Sequence, residues 1–383
     1  MIFFRAKTGR GLMVPGRIIE MNFKCIVING KFLEQKLTGV QRFALELTKA
    51  LDSKAGDMPC ECILAISPKT PANNIPVLNN IKIQTVGFGK GIIWEQLSLA
   101  SFIRKRKALA LHFCNAVPVF APKGIAALHD ISYKVNPTFF TTFKHKIIRI
   151  WHLIQYKACA SHSLAMLTVS EFSKQQICEA YKVNPDKITV VYNGWQHFNT
   201  ASETNLPAEY SFLKKGEYFY SMATLAKNKN LKWIIECSKN NPDSVFAIAG
   251  LRDIQKHGVN IEDDSVPQNI HYLGYVSDED ARALMKNCKA FIFPSLYEGF
   301  GIPPLEALAM GSKVICSNSS CLPEIFEDSV HYIDPNNPNV DLDKLLAEKT
   351  DAAEKVLGKF SWDKTASMTI KVIGNLFNER GKN

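Results

Sequence analysis

Ser295-Leu296-Tyr297-Glu298-Gly299-Phe300-Gly301-Ile302-Pro303-Pro304-Leu305-Glu306-Ala307-Leu308-Ala309-Met310-Gly311 follows the apolar run Ala290–Pro294, and that junction decides how the chain is read. The apolar run has the character of a buried parallel strand. Two glycines then make a turn, and Pro303-Pro304 suits the first turn of a helix that Gly311 ends. A strand therefore runs through a Gly-rich loop into a helix N-terminus, where free backbone N–H groups form a natural anion site. Glu298 stands in that loop and Glu306 inside the helix.

The same grammar recurs on both sides. Upstream, strands are expected at 24–29, 62–67, 81–86, 110–113, 125–128, 164–169 and 188–192, with helical segments such as 94–107 between them. Leu37–Arg42 is a second Gly-containing loop that opens a helix after a strand, and it places Gly39 at a phosphate-facing turn. Downstream, strands are expected at 218–223, 245–249, 270–274 and 313–316, and the loop Thr224–Asn230 carries two lysines to a helix N-terminus. Strands alternating with helices indicate an α/β fold with parallel sheets, and ligands in such sheets sit beyond the carboxyl ends of the strands. His129-Asp130 and Asn115 fall at such ends. His129 reads either as a locally satisfied histidine or as a polar group facing substrate.

With 383 residues the chain suits two domains. The turn Asn193-Gly194 and the polar stretch 196–209 mark the junction. The expected division is a disordered extension at 1–20, an N-terminal domain at 21–195, a C-terminal domain at 196–360, and a terminal helix at 361–383 packing back on the first domain. No apolar run approaches the roughly 18 residues of a membrane span, and residues 1–20 lack a signal-peptide core. Ten scattered cysteines without a Cys-x-x-Cys pair argue against zinc and disulfides and fit a reducing cytoplasm.

Charge is uneven. Residues 1–195 carry 26 Lys and Arg against 11 Asp and Glu, whereas the remainder carries 20 against 25. No basic–aromatic motif supports nucleic acid, so an anionic membrane surface or acceptor is the expected partner of the basic half. The segment Thr141–Ser161 places Ile147, Ile150, Trp151 and Ile154 among Lys144, Lys146, Arg149 and Lys157. It reads as a core helix with a solvated basic face, or as an interfacial helix resting on anionic lipid.

Taken together, the motifs resemble glycosyltransferase family 4, over roughly 21–369. The strongest segment is Phe293–Gly301 with Glu306, the family's E-x7-E motif; Thr38–Arg42, His129-Asp130, Thr168–Ser170, Tyr192–Gly194, Lys229-Asn230, Gly274–Val276 and Leu322–Glu324 support it in order and spacing. The resemblance implies a GT-B architecture of two Rossmann-like domains facing across a cleft. It also implies a retaining, metal-independent transfer of a hexose-type sugar from a nucleoside-diphosphate donor to a glycan or lipid-linked acceptor, in cell-surface polysaccharide or lipopolysaccharide synthesis. No cofactor is expected beyond the donor substrate.

On this resemblance Glu298 holds the sugar hydroxyls, Gly299, Phe300 and Gly301 lie near sugar and diphosphate, and Glu306 accepts from the ribose. Lys229 neutralises the diphosphate, Gly39 lets a loop approach it, and His129 faces the reacting carbon. Val276 sits by the nucleobase, and Asn115 and Asp130 lie on the acceptor side, Asp130 in a structural role. Many members carry arginine where this chain has Asn228; Lys227 stands next to it, but a point charge does not replace a planar fork. The enzyme is expected in the cytoplasm, peripheral at the inner face of the membrane. Two rivals stand beside this reading: a GT-B nucleotide-sugar 2-epimerase and a non-catalytic sugar-nucleotide-binding protein.

Overall fold

A computed structural model describes residues 23–121, 123–199, 205–250 and 267–378. The expected extension at 1–20 lies outside them. Among the described residues thirteen strands form two fully parallel sheets. The first has seven strands: β1 (Cys25–Asn29), β2 (Cys62–Ile66), β3 (Lys82–Thr85), β4 (Ala108–His112), β5 (Ile125–Ala127), β6 (Ala165–Thr168) and β7 (Ile188–Val190). The second has six: β8 (Tyr218–Met222), β9 (Val245–Ala249), β10 (Ile270–Gly274), β11 (Ala290–Phe293), β12 (Val314–Ser317) and β13 (His331–Ile333). The central strands are continuous apolar runs buried on both faces, which is why they read from the sequence without alternation.

The spatial orders are β3-β2-β1-β4-β5-β6-β7 and β10-β9-β8-β11-β12-β13. In each sheet the order reverses beside the first strand, and the crevice at that switch point is where doubly wound sheets take ligands. The architecture is thus the expected α/β arrangement of two Rossmann-like sheets.

Helices follow the strands, and those that the site and its neighbours use are α1 (Gly39–Ser53), α2 (Phe143–His162), α3 (Glu171–Tyr181), α4 (Leu231–Asn240), α5 (Asp278–Asn287), α6 (Ile302–Ala309) and α7 (Leu322–Phe326). Local chemistry starts them where the sequence suggests. Ser170 Oγ accepts from the Ser173 N–H and Ser277 Oγ from the Asp280 N–H, each capping a first turn. Pro303 and Pro304 open α6, where their missing N–H groups cost nothing. The helical stretch read at 94–107 is interrupted: a π-helical turn over Trp94–Leu99 precedes regular helix at Ala100–Arg106.

A last helix, α8 (Trp362–Asn378), lies along α1. Phe377 meets Phe23, Trp362 meets Phe43 edge-on, and Asp363 pairs with Lys54 at 2.8 Å. The largest apolar core runs through both sheets, from Ile26 and Phe43 to Phe291 and Trp362. All ten cysteines are free thiols.

Candidate active site

The crevice between the sheets holds a cavity of about 250 Å³. Loops after β1, β5, β8 and β11 each send a residue into it: Gly39, His129, Lys229 and Glu298. Gly299, Phe300, Gly301, Glu306 and Asp130, also expected there, stand on its wall.

Gly301 explains the shape of the loop before α6. Its φ of +97° lies in the left-handed region, and a β-carbon there would come within 2.8 Å of Leu322. Gly299 has a different reason: a β-carbon would meet the carbonyl oxygen of His129 at 2.6 Å. The loop after β11 therefore approaches the loop after β5 backbone to backbone, and only glycine permits it.

Lys229 and Glu298 converge. The ammonium lies 2.7 Å from Glu298 Oε1 and 4.9 Å from the centre of the Phe293 ring. Asn230 holds the lysine loop in place, donating to the carbonyls of Pro294 at 3.1 Å and Pro335 at 2.8 Å. The pair puts one cation and one acceptor-only group side by side at the mouth of a helix N-terminus. Such a constellation can take an anionic group and a polyhydroxylated group together. Asn228 turns its amide to the Tyr297 carbonyl, at 3.4 Å. Lys227, the cation next to it, does not reach the cavity: its ammonium donates to the Thr138 carbonyl at 3.1 Å. The position is used for bridging the halves instead.

Glu306 is 6% exposed and faces the cavity from inside α6. Its Oε1 lies 2.7 Å from Nε2 of His197. Sequence reading missed this histidine, which falls in the stretch treated as a polar junction.

His129 is buried, with its ring edge-on to Phe43 at 4.6 Å. Its Nε2 sits 2.8 Å from the Phe113 carbonyl. A carbonyl only accepts, so Nε2 carries the proton and Nδ1 a lone pair. Burial pulls its pKa down to about 4, against a smaller opposite effect of that carbonyl, and the ring is neutral at pH 7. Asp130 accepts from the Ser132 N–H, and burial raises its pKa, with the Glu298 carboxylate adding to the effect and Lys229 opposing it.

Two expected residues lie elsewhere. Asn115 is not on the cavity wall; its side chain accepts from the His129 N–H at 2.8 Å and so shapes the loop. Val276 packs into the core and is not on the wall either. Among the other wall residues are Arg42 and Asn193, each from a motif quoted above but given no role there. Arg42 extends from α1 to pair with Asp278 at the start of α5. Asn193 is buried, and its Oδ1 has no protein partner, which leaves an acceptor open to a ligand hydroxyl.

Further bonds cross the crevice. Ser170 Oγ donates to the Gly299 carbonyl at 2.7 Å, and Tyr297 donates to Gln176 at 2.8 Å. Glu324, from α7, accepts from the N–H groups of Glu171 and Phe172 at 2.8 and 2.9 Å, capping α3 from the other half of the molecule.

Each half matches a family model, residues 37–196 that of "Glycosyltransferase Family 4" and residues 202–354 that of "Glycosyl transferases group 1". The two together span well over half of the chain. The O-antigen chain mannosyltransferase B of Escherichia coli is 26% identical over 374 residues, covering 88% of this chain and 96% of its own. Sucrose-phosphate synthase from Thermosynechococcus elongatus shares the fold with a TM-score of 0.68 at 13% identity, over 93% of this chain and 100% of its own. Anabaena HepE in complex with UDP and glucose does so with 0.66 at 14%, over 92% and 99%.

Proposed function

The chain belongs to the family-4 glycosyltransferases of GT-B fold, and from that premise we propose that it moves a hexose, mannose first among candidates, from a nucleoside diphosphate to a growing surface glycan. The observation that carries the proposal is the Lys229–Glu298 pair at the N-terminal mouth of α6. A donor separates the pair: the diphosphate takes the ammonium and the sugar hydroxyls take the carboxylate. Glu306 receives the ribose. The mannose assignment follows the activity named for the E. coli relative.

Chemistry then follows from where charge develops. The bond from the anomeric carbon to the diphosphate oxygen breaks, and Lys229 with the loop N–H groups stabilises the departing diphosphate. The acceptor hydroxyl attacks from the same face, its proton passing to the diphosphate, so the configuration is retained. His129, neutral and beside the reacting carbon, donates no charge and shapes the pocket. No metal is required by this scheme.

Thermal-shift screening with GDP-mannose, UDP-glucose and related donors tests binding, since a bound donor stabilises the folded state. NMR of the product then reports the anomeric configuration, and an inverted product would overturn the retaining assignment. Neither rival draws support from the relative. Isomerised sugar from donor alone would reinstate the 2-epimerase, and donor binding without turnover the non-catalytic reading.

The acceptor is proposed to be lipid-linked, with α2 as the bilayer contact on the cytoplasmic face. Phe143, Ile147, Ile150 and Ile154 follow one another along its exposed side, Phe143 at 80% and Ile150 at 58% exposure. Between residues 96 and 170 ten Lys and Arg face one Asp, the partly buried Asp130. An apolar stripe among cations suits anionic lipid. Among the described residues no helix is long and apolar enough to cross a membrane. Flotation with phosphatidylglycerol vesicles should carry the protein at low salt, and Ile147→Ser with Ile150→Ser should abolish this. No flotation of the parent protein at either low or high salt removes the idea.

A further inference from the structure

Glu306 does not stand alone in α6. We infer that His197 is a positioning residue for Glu306, and that Trp362 fixes the form of His197 that does it. The inference rests on the reading of Glu306 as the donor's ribose acceptor and goes beyond it to name what holds that carboxylate.

The geometry orders the three groups in one direction. Trp362 Nε1 lies 3.0 Å from His197 Nδ1, and His197 Nε2 lies 2.7 Å from Glu306 Oε1. An indole N–H can only donate, so Nδ1 must hold the lone pair and Nε2 the proton. His197 therefore donates to Glu306. All three are buried or nearly so: the His197 side chain is 3% exposed, Glu306's 7%, and Trp362 is 5% exposed. A carboxylate on a helix otherwise turns broadly about its last torsion. With Oε1 pinned, Oε2 and the second lone pair of Oε1 stay available to a pair of hydroxyls.

The helpers come from a special place. His197 lies on the connection from the first sheet to the second, and Trp362 where the chain returns to lie on α1. The two crossings are tied together. Gln196 donates to the Phe360 carbonyl at 3.1 Å and accepts from the Trp362 N–H at 3.1 Å; Trp195 donates to the Leu357 carbonyl at 3.0 Å. Gly194 makes room, since a β-carbon there would lie 2.3 Å from the Trp362 nitrogen. The orientation of the ribose acceptor is thus set from the double crossing between the halves, not from its own sheet.

The test measures GDP and UDP affinity by calorimetry in the full-length protein, and kcat and KM with GDP-mannose. His197→Phe keeps a ring but no donor, and should weaken the diphosphate that binds by about tenfold, the usual scale for losing a hydrogen bond to a charged group. The loss should appear in KM, with kcat within about twofold. His197→Gln, whose amide nitrogen reaches the place of Nε2, should recover affinity to within about twofold. In a Glu306→Ala background, His197→Phe should cost nothing further. Nitrogen-15 NMR of the histidine rings should show His197 as the Nε2–H tautomer, and Trp362→Phe should turn it into a mixture. Circular dichroism confirms that each variant is folded.

Multiplying losses in the double variant, or His197→Gln behaving like His197→Phe, would overturn the inference. An Nδ1–H tautomer in the parent protein would do the same. If Glu306→Ala leaves GDP and UDP affinity unchanged, the ribose reading fails instead. If Glu306→Ala weakens binding and His197→Phe does not, that reading stands and this one falls.

Discussion

Replacing Lys229 with alanine separates what the lysine does for the fold from what it does for the reaction. Its ammonium is 2.7 Å from Glu298 and 4.9 Å from the Phe293 ring, with the lysine side chain 25% exposed and the glutamate's 15%. An ion pair with solvent access contributes about 0–1 kcal/mol, and a partly exposed cation over a ring about 0.5–1 kcal/mol. Stability should therefore fall by no more than roughly 1–2 kcal/mol, with Glu298 turning towards water. The reaction is affected more strongly. At about 4 Å and an effective dielectric near 20, a charge pair is worth about 4 kcal/mol. Negative charge on the diphosphate grows as the glycosidic bond breaks, so part of that interaction exists only in the transition state. Losing a preorganised group of this kind lowers kcat by about 10²–10³. Initial rates with GDP-mannose, alongside a thermal melt, should show kcat/KM down by at least two decades and a melting temperature within a few degrees of the parent. Lys229→Arg should recover part of the rate. A kcat/KM within threefold of the parent, with diphosphate affinity unchanged, would refute the assignment and leave Lys229 a structural partner of Glu298.

Three further expectations follow from the crossing contacts and the buried rings. Glu324→Gln removes the charge that caps α3 across the crevice, which should cost about 0.5–2 kcal/mol; a lower melting temperature and faster amide exchange at Glu171 and Phe172 would show it. Gly299→Ala should push the loop off the His129 carbonyl and lower kcat/KM more than it lowers donor affinity, and an unchanged rate would contradict the backbone contact. Burial holds His112 at a pKa of about 3 and His129 at about 4, below the 6.5 of an unfolded histidine. The unfolded chain thus binds these protons first as pH falls, so stability should drop from about pH 6.5 down to pH 4, by roughly 3 kcal/mol for His129. Melts across that range should show the slope, and His112→Asn should flatten it.

What the sequence disclosed and what it withheld divide along one physical line. The strands around the crevice were legible because each is a short, doubly buried run, and burial writes itself into consecutive residues. The start of α6 was legible because Pro303 and Pro304 act on their own first turn. Gly39, His129, Lys229, Glu298 and Glu306 could be grouped because each lies just past a strand end or on the helix that follows one. The π-turn at Trp94–Leu99 could not, since nothing in the spacing distinguishes it from ordinary helix; it surrounds Glu95, which is buried and bonded to Asn29 and Lys31. The partner of Lys227 was hidden for a related reason. That lysine sits two positions before Lys229, yet its reach to Thr138 spans the crevice, and a local pattern records no such partner.

His197 shows why the gap matters for function. Its two partners lie 109 and 165 positions away, and its own neighbourhood is polar and irregular. The E-x7-E spacing locates Glu306 by its helix, whereas the hydrogen bond that orients it comes from a connection that the same spacing treats as a boundary. The contacts of Glu324, Gly299 and Tyr297 are of the same kind: each joins the second half to α3 or its capping Ser170 in the first. The motif residues of the second half are therefore half-specified by their own fold and half by the first. The second half alone carries the strand, loop and helix of the motif stretch. It lacks the helix N-terminus that Glu324 caps and the hydroxyl that holds the Gly299 carbonyl. The shape of the crevice belongs to the assembled molecule rather than to the sheet that carries the motif.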